Sequence, residues 1–360
     1  MSVNKGKRKL KVVEISGEPY EMGLQYGAAC MEIGKMLDIT YQGFRGKENA
    51  RILANKYIPL YLPFAEKYAP EIVDEMKGMA AGAKMDFQDI FLLNITYEIS
   101  APLAMGCTSF AATGKATVNG EVITGQNLDF LSVYEENIIL LKTKPSHGPE
   151  IMAVAPAGSL GLIGLNSAGI SLNLNLLRNK DSLNPNGGVP SHIILRKLLA
   201  CENIGETISV IASAEMRSAK NYLLASDQGD VVDIEVTMND LDVQYPESGI
   251  FTHANCFKAE RFKCTDLAPL YLPDSYIRAE RLYQLMGNHH GSLSVDAMKQ
   301  LLQDHSNHPN SICRHPDPGN PLPMGRMMKT LVSLINYPKE RKAYIALGNP
   351  CENEYFEYCL

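Results

Sequence analysis

Gly106-Cys107-Thr108-Ser109 is the stretch of this chain best suited to covalent chemistry. A cysteine thiolate is a strong nucleophile, and a preceding glycine leaves its carbonyl sterically open. Attack of Cys107 on the Gly106 carbonyl would give a thioester by an N→S acyl shift. Hydrolysis of that thioester would cut the chain and leave Cys107 as a new N-terminus. The new α-amino group, with a reference pKa of about 7.7–8.0, could then act as base for the thiol beside it. Several polar residues also sit where strands prefer apolar ones. Gln126, Asn127 and Asp129 interrupt 122–131, Asn173 and Asn175 lie within 170–177, and His253 and Asn255 within 250–257. Residues two apart on a strand share a face, so these positions describe one polar cleft lined by several strands. Asparagine is a neutral, orientable oxyanion donor, and an aspartate can hold an α-amino group by a charge-assisted hydrogen bond. Arg314, in a loop rich in Pro and Asn, is always charged and can orient an Asp or a backbone carbonyl.

These residues need elements to position them. Up to about residue 104 the apolar spacing is helical, over 20–37, 50–79 and 87–99. Gly23, Gly27 and Ala28 suggest close approach by another backbone. Near residue 107 the pattern changes to short β-rich runs at 107–112, 121–124, 137–143 and 150–155, with Asn119-Gly120 as a hairpin signal. Further hairpins are predicted over 160–177 and over 222–226 with 231–236, and a strand over 250–257. Helices are predicted over 192–213, 276–286 and 294–304, and a closing hairpin over 329–336 with 343–347. Antiparallel sheet layered with helices is an α+β architecture, and its one boundary falls at 104–107.

Composition bounds the function. The 360 residues are 45% hydrophobic and 21% charged, enough for a sizeable core in one large domain or two. A formal net charge of −6 argues against nucleic acid as a main partner. No apolar run reaches membrane-spanning length. Lys5, Lys7, Arg8, Lys9 and Lys11 read as a solvated tail without the apolar stretch of a signal peptide. The eight cysteines show no CxxC spacing, so reduced thiols in a cytoplasmic setting are expected. Close Cys/His spacing for zinc is absent, and His289-His290 and the His305/His308 pair read as solvent-facing. Thiol chemistry needs no metal or redox cofactor. A rival nucleophile would be Cys313 or Cys256 with His253 or His315, although nearness in sequence does not make a dyad.

Eight stretches then occur in a recognisable order: GEPYEMGLQYG (17–27), GCTS (106–109), GQNLDF (125–130), GLNSAGISLNLN (164–175), GVPSHIILR (188–196), THANCF (252–257), LPDS (272–275) and SICR (311–314). Together they resemble the acyl-coenzyme A:6-aminopenicillanic acid acyltransferase (isopenicillin N acyltransferase) family. Its members are self-cleaving N-terminal nucleophile hydrolases related to choloylglycine hydrolases and acid-ceramidase-like amidases. The resemblance implies an αββα sandwich, two antiparallel sheets between helix layers. It implies cleavage between Gly106 and Cys107, with a helical segment 1–106 that stays associated with a catalytic segment 107–360. Cys107 matches the nucleophile of both self-cleavage and turnover, and Asp129 the Asp near its amino group. Asn255 matches the oxyanion-stabilising Asn, Arg314 an active-site Arg, and Asn175 a strand Asn facing the site. The implied substrate is a small N-acyl amide or acyl thioester, resolved by water or an amine. His253-Ala254-Asn255-Cys256 departs from the fungal THTNH pattern, and nothing marks a penicillin substrate. The alternative is an uncut, catalytically silent homologue that binds a small molecule.

Overall fold

The alternation KVVEISG builds the first element, a strand over Lys11–Gly17 (β1) with Val13 and Ile15 buried. In this computed structural model, which describes residues 5–99, 106–180, 182, 186–216, 218–321 and 325–360, β1 pairs in parallel with Ile138–Pro145 (β4). This corrects two expectations. The N-terminal segment is not purely helical, and its basic start is not a free tail. The Gly6 amide donates to Glu352 O at 2.7 Å, as does Lys5 Nζ to Pro350 O. Strand β1 directly follows the basic run 5–11, which hid it. The predicted 104–107 boundary lies partly outside the described residues.

Six helices follow: Pro19–Ala29 (α1), Glu32–Gly43 (α2), Lys47–Tyr68 (α3), Pro70–Ala83 (α4), Phe87–Asn94 (α5) and Thr96–Ile99 (α6). The single helix expected over 50–79 is broken at Ala69-Pro70, because proline lacks an N–H and takes a first helical position. Glycines let α1 and α4 touch backbone to backbone. A Cβ on Gly23 would lie 1.9 Å from Glu75 O, and one on Gly78 2.0 Å from Tyr20 O.

The remaining strands form two sheets. Ile151–Pro156 (β5), Ile163–Asn166 (β6), Ile170–Leu176 (β7), Lys220–Ser226 (β8), Val231–Val236 (β9) and Leu241–Gln244 (β10) join the first two in the order β1-β4-β5-β6-β7-β8-β9-β10. Gly106–Ala112 (β2), Ile123–Leu131 (β3), Ile250–His253 (β11), Met328–Tyr337 (β12), Lys342–Leu347 (β13) and Phe356–Cys359 (β14) form the second, β11-β2-β3-β12-β13-β14, antiparallel throughout. The β1–β4 pair is the parallel exception in the first sheet. Strands β2 and β3 pack on β7 and β8, so the sheets lie face to face. Helix α1 packs on β1 and β4. Asp274–Asn288 (α11) packs on β11 and β2, and Val295–Leu301 (α12) on β12. The result is a four-layer αββα arrangement. The 192–213 prediction resolves into Ser191–Leu198 (α7) and Ile204–Ser213 (α8), the latter capped by Asn203. Two short helices, Glu260–Lys263 (α9) and Ala268–Tyr271 (α10), precede α11.

The layer between the sheets explains the polar residues inside strands. Ser109 Oγ donates to Asn175 Oδ1 at 2.6 Å, and Thr124 Oγ1 donates to Ser171 Oγ at 3.0 Å. Gln126 Oε1 accepts from the Leu174 amide at 2.8 Å. Most buried polar groups are partnered, and these pairs tie one sheet to the other in a single register. No described helix is long and apolar enough to cross a membrane.

Candidate active site

Strand pairing sets the site. Gly106 lies opposite Asp129 and Cys107 opposite Leu128, so Cys107 and Leu128 share one face while Gly106 and Asp129 share the other. A Cβ on Gly106 would fall 3.0 Å from Asp129 Oδ2 and 3.3 Å from Arg314 Nε, so only glycine fits this position without displacement. The Cys107 amide donates to Asn255 Oδ1 at 2.8 Å. Asn255 lies just past the end of β11, and its Nδ2 donates to Leu176 O at 3.0 Å. The expected strand over 250–257 therefore stops at His253. His253 Nε2 meets Glu235 Oε1 at 2.7 Å, while Glu235 also accepts the amides of Lys258 (2.6 Å) and Ala259 (2.9 Å). Glu235 thus pins the loop that carries Asn255.

A chain of alternating charges runs from Asp129 to the Cys107 carbonyl. Arg314 Nε donates to Asp129 Oδ2 at 3.2 Å, and Arg314 Nη2 donates to Asp274 Oδ2. Asp274 Oδ2 also accepts from Arg278 Nε at 2.7 Å, and Arg278 Nη1 donates to Cys107 O at 2.6 Å and to Thr108 Oγ1 at 2.7 Å. Arg278 Nη2 completes the fork with Asn255 Oδ1 at 3.0 Å and Ser275 Oγ at 3.1 Å. Thr330 Oγ1 donates to Asp129 Oδ1 at 2.7 Å. All four charged residues are buried, and two acids face two guanidinium groups, which is how buried charge is tolerated.

Burial raises Asp129 to about 6, with Arg314 and Arg278 pulling against it. Burial also works to raise Asp274, but Arg278 and Arg314 outweigh it and hold that carboxyl below its ordinary value. The Cys107 thiol is pushed up to about 12, first by burial and then by the Asp129 charge, with Arg278 opposing. In the uncut chain this thiol is protonated at neutral pH.

On the Cys107 face lies a cavity of about 360 Å³, with walls that include Leu128, Phe130, Tyr97, Leu93, Met36 and Phe44. It is mostly apolar, and α2, α3, α5 and α6 supply one side of it. Burial, and then the charge of Cys107, raises the Tyr97 hydroxyl above its ordinary value.

The family described as acyl-coenzyme A:6-aminopenicillanic acid acyl-transferase matches residues 116–352. The chain is 30% identical over 345 residues to the acyl-coenzyme A:6-aminopenicillanic-acid-acyltransferase 40 kDa form of Emericella nidulans, covering 94% of this chain and 92% of that one. The chain belongs to this acyltransferase family. A shorter match, 36% identity over 89 residues, links 21% of it to 24% of an N-acylethanolamine-hydrolyzing acid amidase from Caenorhabditis elegans. Among solved structures, penicillin V acylase from Agrobacterium tumefaciens aligns with TM-score 0.45 and 12% identity over 67% of this chain and 83% of that one. Conjugated bile acid hydrolase from Clostridium perfringens aligns with TM-score 0.45 and 13% identity over 71% and 97%. The matching family model and the Emericella nidulans relative are both named for acyl transfer.

The fold brings Cys107, Asp129, Asn255 and Arg314 into one network, and places Asn175 on the same inner layer through Ser109. Asn175 Nδ2 has no hydrogen-bond partner among the described residues. Sequence reasoning missed Arg278 and gave Asp274 no role. The available signal was the LPDS stretch followed four residues on by Arg278, an i,i+4 pair that reads as a surface ion pair. His305 and His308 are exposed, as expected, but His305 is not isolated there: its Nε2 stands 3.1 Å from His315 Nε2. His305, Cys313, His315 and Cys351 place one ligand atom each within 4.8 Å of one another. Cys256 has no histidine partner of this kind among the described residues, and His253 is committed to Glu235.

Proposed function

We propose that this family member cuts itself between Gly106 and Cys107 and then works as an N-terminal-cysteine amidohydrolase or acyltransferase on small N-acyl compounds. The Cys107 sulfur attacks the Gly106 carbonyl, the C–N bond breaks, and the amide nitrogen becomes the α-amine of Cys107. Water then opens the thioester, returning the thiol and leaving Gly106 with a carboxylate. The amine, held by Asn255 Oδ1 and near Asp129, serves as base for the thiol in turnover. A substrate acyl group forms a thioester on Cys107 while its amine or thiol leaves, and water or an amine resolves it. Donors for the oxyanion are Asn255 Nδ2, once it leaves Leu176 O, and Asn175 Nδ2.

One observation carries this reading. Cys107 heads a strand with its amide nitrogen already held by Asn255, its neighbour Gly106 packed against Asp129 and Arg314, and an apolar cavity on its own face. The cavity's mostly apolar walls suit an apolar acyl group rather than a large polar one. The relatives named for acyl-coenzyme A transfer and N-acylethanolamine hydrolysis agree in class. Segment 1–106 stays bound after cleavage, because β1 is built into the first sheet and α2, α3, α5 and α6 wall the cavity. Free thiols at all eight cysteines fit a reducing, cytoplasmic setting. One observation favours a second reading, an uncut binding protein: the buried thiol at about 12 is inert until something exposes it.

Denaturing intact-mass spectrometry of wild type and Cys107→Ala decides between them. The first reading expects fragments of 106 and 254 residues from wild type, one 360-residue chain from Cys107→Ala, and N-acyl amide turnover by wild type alone. A wild-type chain that stays whole yet hydrolyses N-acyl amides would overturn the mechanism.

A further inference from the structure

Four side chains outside the catalytic network converge without an ordinary structural purpose. His305 follows α12, Cys313 and His315 flank Arg314 in the loop before β12, and Cys351 lies between β13 and β14. His305 Nε2 and His315 Nε2 stand 3.1 Å apart, and Cys313 Sγ and Cys351 Sγ 3.5 Å apart. Cys313 Sγ is 3.7 Å and Cys351 Sγ 3.4 Å from His315 Nε2. Metal–sulfur bonds of about 2.3 Å and metal–nitrogen bonds of about 2.05 Å at tetrahedral angles put ligand atoms about 3.3 Å (N···N), 3.6 Å (N···S) and 3.8 Å (S···S) apart. These four separations fall within about 0.3 Å of those edges, and all four ligand atoms lie within 4.8 Å of one another.

We propose that His305, Cys313, His315 and Cys351 form a closed, tetrahedral Cys2His2 site for a divalent zinc ion that fastens the Arg314 loop. Both thiols release their protons to solvent as the metal binds, so the filled site is neutral. Two soft sulfurs and two imidazoles select zinc over hard oxygen-seeking cations. Four protein ligands leave no open position, which makes the site structural rather than catalytic. The surroundings fit. Asn349 Nδ2 donates to Cys313 Sγ at 3.5 Å and to Arg314 O at 2.7 Å. Glu352 Oε1 lies 3.8 Å from His315 Nδ1, the ring nitrogen facing away from the metal position, and carboxylates in that place orient metal-bound imidazoles. A Cys313–Cys351 disulfide would instead need the sulfurs to close from 3.5 Å to about 2.05 Å and would leave the two imidazole nitrogens converging on nothing.

Arg314 sits between two of the ligands, and its side chain reaches Asp129 and Asp274. The metal would therefore tie the end of α12, the Arg314 loop and the β13–β14 connection into one clamp.

The test uses the full chain, purified reduced and without a histidine tag. Zinc by plasma mass spectrometry is expected at about one ion per chain. Cobalt(II) exchanged into the protein should show tetrahedral d–d bands and thiolate charge-transfer absorption. Cys351→Ser and His305→Asn should lose both signals while keeping native circular dichroism, and Asn349→Ala should weaken zinc binding by about 10–100-fold. A folded, reduced wild type that binds neither ion, or one whose native mass is two hydrogens light through a Cys313–Cys351 disulfide, would overturn the proposal. Both readouts need no substrate, so they stand or fall apart from the enzymatic reading.

Discussion

Gly106→Ala is the smallest perturbation that probes self-cleavage at its own bond. The added methyl would meet Asp129 Oδ2 at 3.0 Å, Asp129 Cβ at 3.2 Å and Arg314 Nε at 3.3 Å, three contacts at once on one side. None of these neighbours can step aside freely. Asp129 is paired directly with residue 106 in the sheet, takes Thr330 Oγ1 at 2.7 Å and Arg314 Nε at 3.2 Å, and is buried. Arg314 is held through its own amide by Thr330 Oγ1 at 3.0 Å. Overpacking of this kind costs about 1–3 kcal/mol, shared between displacing Asp129 and tilting the 106–107 peptide. Either movement shifts the scissile carbonyl relative to the thiol. Each ~1.4 kcal/mol is tenfold in rate, so self-cleavage should slow by about ten- to a hundredfold. The assay is a time course of intact mass on freshly refolded precursor, with near-ultraviolet circular dichroism to confirm native packing. The same substitution should leave turnover per cut molecule nearly unchanged, since residue 106 no longer belongs to the nucleophile's chain. Cleavage at the wild-type rate would refute the claim that Gly106 is required by the Asp129–Arg314 contact.

Asp129 supplies the pH dependence. Burial raises its carboxyl to about 6, so its ionised fraction, and with it self-cleavage, should rise with pH and level off above that value. Asp129→Asn should flatten this limb, and a limb that survives in the variant would clear Asp129. Arg278→Lys keeps the charge but cannot fork across Cys107 O, Thr108 Oγ1, Asn255 Oδ1 and Ser275 Oγ; processing and turnover should fall by about a hundredfold. Wild-type rates in Arg278→Lys would make that fork irrelevant to the site. Leu128→Trp fills the cavity on the thiol face, so the kcat/KM ratio of long to short acyl substrates should drop by tenfold or more. An unchanged ratio would place the acyl group elsewhere.

The strands of the candidate site were legible because polar residues broke an apolar pattern. Gln126, Asn127 and Asp129 sit in one buried strand, and their types made no sense unless something held them. Arg278 left no such trace. Its i,i+4 relation to Asp274 is what a solvated helix face looks like, and only the packing of α11 on β2 and β11 turns that face inward. Strand β1 was hidden because it directly follows the basic run 5–11, and Glu14 and Ser16 interrupt its apolar residues. The four metal-ligand candidates come from two connections far apart in sequence, α12–β12 and β13–β14, and no spacing rule covers ligands that topology alone assembles.

The network around Cys107 is complete before any bond is cut. Asp129, Arg314, Asp274 and Arg278 alternate in sign and hold one another, so cleavage need not build an active site. What cleavage changes is one nitrogen. In the whole chain it is an amide that donates to Asn255 Oδ1 and offers no base. A thiol at about 12 is ionised to roughly one part in 10⁵ at pH 7, too little for useful nucleophilic turnover. On the proposed cleavage the same nitrogen would become an amine whose proton can be exchanged with the thiol beside it. Under the proposed function, neutral peptide and ionisable amine would then act as the two states of a latch, with the charged residues as the fixed frame around it.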